Sequence, residues 1–426
     1  MSRPDGAPAQ DLAPLLLAWG AILIPLFALV APKVSYWPLV IAGIVGLARL
    51  AHLRCAPPRL LRPLLVWSAA LLLWIAVSTT YALDSRAGLI LLLKLSGFAA
   101  CGLLLIWTTL DRAARMRPTV SAVHLAGSCA VSAALAADFF TGGAISTMLF
   151  GDALPAGPIN RNTTAIVYLA LFVWPLCIVL RDRCGAWIAA IPPIVVIAFA
   201  WIFGQFAIVL GLLAGAAVFG SAMAWPRLTG MVLAAICAGI VVLAPLAGKL
   251  LEPGPWLRSA PISIQFSSYH RAKIWSFTAD RIFQRPVFGW GIDASRRIPG
   301  GGAIVDINRD LEFPDRRYDT QATAMPLHPH NAALQVWLEL GGVGALLLAL
   351  LCGAIPVAVG RTGRPRASVA AGLAMYSTAY VLAMLSFSLW QSRWHALLWL
   401  AGASAIVMLH DGRKPEPTPT PAIPQR

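Results

Sequence analysis

Two histidines stand two residues apart in Leu327-His-Pro-His-Asn-Ala-Ala-Leu-Gln-Val-Trp337, directly before a long apolar run. A neutral imidazole at a water boundary can take a proton from a hydroxyl near neutral pH, which makes His330 and His328 candidate general bases. Asn331 is suited to cap the helix that follows. The alternative is that all three residues only cap and hydrogen-bond that helix end. Upstream runs Ser267-Ser-Tyr-His-Arg-Ala-Lys-Ile-Trp-Ser-Phe-Thr-Ala-Asp-Arg-Ile-Phe-Gln-Arg285. Ser267 or Ser268 is expected to cap a helix that ends before Pro286. At about 100° per residue, Arg271, Ile274, Trp275, Ile282 and Arg285 share one side. That basic and aromatic face suits a helix on a membrane surface near lipid phosphates; a solvated helix with scattered charge is the other reading. Arg161, in Pro158-Ile-Asn-Arg-Asn-Thr-Thr164, is a further cation at a helix entrance, placed to meet a lipid phosphate or to anchor the helix end.

Other residues are less pointed. In Pro286-Val-Phe-Gly-Trp-Gly291, Pro286 stops the helix, and Gly289 and Gly291 permit a tight turn or close backbone approach. Lys94 and Glu339 are ionisable groups about two turns inside apolar runs, and such groups are functional candidates unless they snorkel. Asp84 and Arg86 read as an exposed ion pair. The stretch Asp306–Asp319 carries both signs of charge and reads as solvated surface. The seven cysteines form no CxxC pair, and no acidic or histidine cluster has metal spacing. Neither a metal, a cofactor nor a disulfide framework is therefore expected.

The elements that must position these groups follow from composition. The 426 residues are 58% hydrophobic and 12% charged, with a mean hydropathy of +0.73. A soluble domain carries about 25% charged residues, and runs of 18 or more apolar residues each suffice to cross a bilayer core of about 30 Å. The fold class is an all-α polytopic membrane protein. Twelve spans are expected near 12–31, 36–50, 63–79, 87–107, 119–137, 163–180, 186–202, 205–224, 228–246, 331–359, 367–387 and 392–410. Only Phe203 and Gly204 mark the turn between the seventh and eighth. The 16 Trp suit residues that anchor helices at the interface. Alternate loops and both ends hold 17 of the 33 basic residues, whereas the short loops opposite hold four: Lys33, Arg86, Arg161 and Arg393. By the positive-inside rule both termini are cytoplasmic. This topology accounts for much of the +15 net charge, so nucleic-acid binding is not implied. The first apolar run lacks a small-residue cleavage site and does not read as a cleavable signal. Residues 247–330 form a large periplasmic loop between spans nine and ten of one membrane domain, long enough to fold. The Pro-rich tail 414–426 reads as an extended solvated segment.

Taken together these residues resemble the O-antigen ligase/polymerase superfamily of bacterial envelope glycosyltransferases. The matching pieces are Arg271-Ala-Lys-Ile-Trp275, Pro286-Val-Phe-Gly-Trp-Gly291 and His328-Pro-His-Asn-Ala-Ala-Leu-Gln-Val-Trp-Leu-Glu-Leu-Gly-Gly-Val-Gly344, with Asn160-Arg161 and Trp390-Gln-Ser-Arg-Trp394. The resemblance implies a GT-C-type enzyme of the inner membrane with its site facing the periplasm. It implies a glycan donor on undecaprenyl pyrophosphate and, for a ligase, a lipid A–core hydroxyl as acceptor, with inversion and without a metal. It also implies roles: Arg271 and Arg161, then Arg285, on the donor pyrophosphate, and His330, then His328, as base. One departure is that Gly204-Gln-Phe-Ala207 stands where many members carry a Ser-Arg pair. A polymerase using a second lipid-linked glycan, a protein-glycosylating transferase and a lipid-linked glycan transporter are the alternatives. A transporter would place polar or broken helices near the bilayer midplane, often in repeated halves.

Overall fold

A computed structural model describes residues 36–49, 61–110, 112–150, 162–252, 266–306 and 321–411. The helices are α1 (Trp37–Arg49), α2 (Leu61–Thr79), α3 (Ser85–Leu110), α4 (Ala113–Phe140), α5 (Ala144–Phe150), α6 (Thr163–Cys184), α7 (Ala186–Ala189), α8 (Ile191–Ile202), α9 (Phe206–Ala224), α10 (Pro226–Leu250), α11 (Phe266–Gln284), α12 (Ala332–Gly360), α13 (Arg366–Leu385) and α14 (Ser392–Met408). Strands β1 (Ile304–Asp306) and β2 (Gln321–Thr323) pair antiparallel, with Val305 opposite Ala322. Each expected span from 36–50 onwards coincides with a helix, that at 186–202 being divided at Ala190. The first expected span and the Pro-rich tail lie outside the described residues. Seven of the described helices are long and apolar enough to cross a membrane: α3, α4, α6, α9, α10, α12 and α13. The turn expected at Phe203–Gly204 is present, with Gly204 at φ 66°.

The bundle has two apolar cores. One surrounds α6, which is buried almost all round from Ala165 to Leu180 and packed against α4, α8, α9, α13 and α14. The other joins α2, α3, α10, α11, α12 and α13. Without a hydrophobic drive between helices in lipid, close packing and buried hydrogen bonds hold such a bundle together. Tyr380 donates to the Cys237 carbonyl at 2.7 Å, and Trp337 Nε1 donates to the Val241 carbonyl at 2.7 Å.

Two expectations about α11 are corrected. The helix already includes Ser267 and Ser268, so neither is its cap. The face shared by Ile274 and Ile282 is not presented to lipid headgroups: both are buried in the second core, and α11 packs on the end of α10 through Lys249–Asp280 at 2.5 Å. Apolar side chains on that face gain more from burial in protein than from partial contact with an interface.

The segment after Pro286 docks into a break in α12. Gly341 has φ 64° and ψ −166°, a conformation open in practice only to glycine. The break strands helix carbonyls, and each finds a new donor. Trp290 N–H donates to Leu338 O, Gly291 N–H to Glu339 O and Trp74 Nε1 to Leu340 O, all at 2.9 Å. In return Gly342 N–H donates to Pro286 O at 2.8 Å. A Cβ on Gly289 would lie 2.6 Å from the Gly341 nitrogen, and one on Gly341 would run into the Val287 carbonyl. Gly341→Ala is therefore expected to cost roughly 1–3 kcal/mol from backbone strain alone, with the clash added. A thermal-shift measurement in detergent checks this; an unchanged melting temperature would mean that the break can close.

Candidate active site

The turn His328–Asn331 is held from three sides. Asn331 caps α12 by accepting from Leu334 N–H at 3.0 Å, as its sequence position suggested. Trp275 of α11 donates through Nε1 to Pro329 O at 2.9 Å. His330 reaches across to the end of α13, where its Nδ1 lies 3.2 Å from Ser386 O. A carbonyl only accepts, so Nδ1 carries the proton and Nε2 keeps its lone pair. His330 N–H donates to His328 Nδ1 at 3.1 Å, which puts the His328 proton on Nε2. The two rings are 4.2 Å apart.

Backbone strain concentrates here. His330 at φ 54° and Asp293 at φ 61° are the only described non-glycine residues in the left-handed region. Such strain persists where the surroundings over-determine the backbone, and it gathers at functional sites. For Asp293 the constraint is Glu339. Its Oε2 accepts from Asp293 N–H at 2.7 Å and Trp390 Nε1 at 2.6 Å. Its Oε1 accepts from Ser295 Oγ at 2.5 Å and Gln335 Nε2 at 3.2 Å. Gln335 in turn donates to Ser388 Oγ at 3.1 Å and accepts from Leu389 N–H at 3.0 Å. Glu339 is fully buried, so it does not snorkel; it ties the 293–295 loop and the 386–391 loop to α12.

The surrounding charge is positive. Arg271 lies within electrostatic reach of both imidazoles, and no carboxylate among the described residues pairs with it. Burial lowers its pKa. Arg296, which sequence reasoning missed, also acts on His328 and on Lys94, while its Nε is 3.1 Å from Asp293 Oδ1. Its only sequence signal is its place five residues after Gly291. Burial pushes the His328 imidazole down to about 3, helped by His330, Arg296 and Arg271. Burial also lowers His330; the Ser386 carbonyl opposes this, and Arg271 and His270 add to it. Both rings are thus neutral at pH 7.

The structure gathers Arg271, His328 and His330, but it does not bring Arg285 to them. Arg285 follows the end of α11, 14 residues from Arg271, or about 21 Å along the helix axis, and its guanidinium lies over the Trp290 ring at 4.1 Å. Arg161 lies outside the described residues; its neighbour Asn162 is buried and donates to Asp138 Oδ2 at 2.8 Å. Asp84 pairs with Arg297 at 2.6 Å rather than with Arg86, and accepts from Ala87 N–H as the cap of α3. Of the Trp390–Trp394 stretch, Trp390 holds Glu339 and Trp394 stacks on Phe387 at 4.8 Å. Among the described residues no three His, Cys, Asp or Glu side chains gather to hold a metal.

These features define a polytopic α-helical membrane protein with a histidine–arginine site at one end of its bundle. Residues 163–349, from α6 into α12, match the family model described as O-antigen ligase. Curated relatives named "Putative polysaccharide ligase" agree. The one from Rickettsia conorii (strain ATCC VR-613 / Malish 7) is 30% identical over 154 residues, covering 36% of this chain and 34% of its own. That from Rickettsia prowazekii (strain Madrid E) is 32% identical over 161 residues, covering 36% and 35%. That from Rickettsia bellii (strain RML369-C) is 27% identical over 179 residues, covering 42% and 39%. The chain thus spans between a third and two fifths of the length of these relatives.

Proposed function

We propose that the protein is a GT-C-type inverting glycosyltransferase of the bacterial inner membrane. It moves an O-antigen glycan from undecaprenyl pyrophosphate to a lipid A–core hydroxyl in lipopolysaccharide synthesis, with both termini cytoplasmic and the site on the periplasmic side. The observation that carries this reading is the meeting of a neutral imidazole at the head of a membrane helix, lone pair free on Nε2, with a guanidinium of α11 to which no carboxylate among the described residues is paired.

The step divides the work between these groups. The acceptor hydroxyl gives its proton to His330 Nε2 while its oxygen attacks the anomeric carbon. The bond from that carbon to the diphosphate oxygen breaks, and the lipid diphosphate leaves with the electron pair. Arg271, desolvated by burial, offers forked donors to the charge that grows on the leaving group. Burial, helped by the charge of Arg271, keeps His330 neutral, and that charge is balanced once the diphosphate arrives. An anion beside an imidazole favours the charged form, so the bound donor raises the proton affinity of His330 as the base is needed. No residue in this scheme requires a metal.

The test is transfer in vitro by the purified protein, with a synthetic lipid-diphosphate glycan and a lipid A–core acceptor, with and without EDTA. Transfer is expected in both. Arg271→Ala is expected to lower kcat/KM by roughly 10²–10³, the scale of removing one preorganised donor. Arg271→Lys is expected to recover only part, because an ammonium restores the charge but not the fork. Wild-type rates in Arg271→Ala would remove Arg271 from the mechanism. Transfer only to a second lipid-linked glycan would make the protein a polymerase.

A further inference from the structure

A groove of about 610 Å³ opens between Trp74, Val77 and Tyr81 on one wall and the segment Arg285–Gly289 on the other. Its chemistry is amphipathic. Val77, Val287 and Phe288 are each between 43% and 57% exposed, and Arg285 stands exposed at the rim over Trp290. No carboxylate among the described residues pairs with Arg285. Tyr81 fixes the groove by donating to Phe288 O at 2.9 Å.

With the topology proposed above, the groove falls at the outer boundary of the hydrocarbon. From Gly341 to Gly360, α12 rises about 28 Å, close to one hydrocarbon thickness. Trp74, in the groove wall, donates to Leu340 O, next to the helix break. A ring with one polar tip at that depth is the usual interfacial anchor. The groove is also remote from the histidines. Leu340 is ten residues beyond His330, about 15 Å along α12, and Arg285 is about 21 Å along α11 from Arg271.

That separation distinguishes two lipid substrates. In a lipid-diphosphate donor, the bond that breaks joins the sugar directly to phosphate, so its phosphates must lie beside Arg271 and His330. In an acceptor glycolipid, the reacting hydroxyl stands at the far end of an oligosaccharide from the phosphates and acyl chains. Of the two, only the acceptor can place a phosphate this far from the base. We propose that the groove is the anchor site for an acylated, phosphate-bearing glycolipid acceptor. Arg285 holds its phosphate, and Val77, Val287 and Phe288 hold its chains. This rests on the reading of the protein as a transferase with a lipid-anchored acceptor.

The test reads binding, not turnover. The full chain carrying His330→Asn, in detergent micelles, is titrated with a bis-phosphorylated acylated glucosamine disaccharide (lipid A) and, in competition, with phosphatidylglycerol. Arg285→Gln is expected to weaken lipid A binding by about tenfold, the scale of one lost charge-assisted contact, and Arg285→Lys to restore most of it. Phosphatidylglycerol at equal concentration should compete poorly. Unchanged binding in Arg285→Gln overturns the proposal. So does equal competition by phosphatidylglycerol, which would make the groove a general anionic-lipid surface. If Arg285-dependent binding holds but the active protein transfers no glycan to the core acceptor, the transfer reading fails and the glycolipid site stands.

Discussion

His330→Asn is expected to lower glycan transfer by about 10²–10⁴, the usual weight of a positioned general base. Asparagine is the informative replacement because it tolerates the left-handed backbone that His330 adopts at φ 54° better than most residues. Its amide can also donate to Ser386 O, as His330 Nδ1 does. The fold is therefore kept while the basic lone pair is lost. His328→Asn is expected to have a smaller effect, since His328 Nδ1 is occupied by His330 N–H. The pH profile tests the same assignment. Burial first, then Arg271 and His270, lower the His330 pKa below the ordinary imidazole value of about 6.5. The unprotonated ring is the active form, so kcat/KM should be flat above about pH 6.5 and fall only with further acidification. With the diphosphate bound the ring gains an anionic neighbour, so the acid limb of kcat should lie at higher pH than that of kcat/KM. Wild-type turnover by His330→Asn, or two limbs at the same pH, would show that the proton leaves by another route.

Removing the Glu339 carboxylate is expected to have the largest effect on stability. In Glu339→Ala, Asp293 N–H, Ser295 Oγ–H and Trp390 Nε1–H each lose the acceptor given for them. Each buried group left unsatisfied costs about 1–3 kcal/mol, so the three together cost several. Gln335 keeps Ser388, which limits the damage. The loss should be read first as a lower apparent melting temperature in detergent. It should be read again as lost transfer, because the Ser386–Trp390 turn that orients His330 is freed with it. Glu339→Gln should fall between, since an amide retains one acceptor oxygen. A Glu339→Ala protein as stable as the parent would mean that the loops are held by packing alone.

Much of this site was legible in the chain. The His328–Asn331 capping turn follows from residue type and position beside an apolar run, and Arg271 stood out on the basic and aromatic face of the helix before it and in the family resemblance. The glycines at 289 and 291 announced a close backbone approach. The places where sequence reading went astray are those where a distant partner decides. The Ile274–Ile282 face was read as interfacial because periodicity marks an apolar stripe without saying what covers it; α10 and α12 cover it. Glu339 looked available because its four donors come from residues as much as 51 positions away. Arg285 seemed to join Arg271 because both lie on one stripe, yet a helix that keeps two residues on one side still moves them apart along its axis.

Apolar runs longer than a bilayer core and the absence of metal-binding spacing were set by the chain alone, since hydrophobic length and residue chemistry do not depend on neighbours. Which imidazole nitrogen is free, which carboxylate is structural, and where Arg285 lies relative to the histidines were decided by the fold. Those properties depend on hydrogen bonds and separations between segments far apart in sequence, which exist only once α11, α12 and the loop before α14 have packed together.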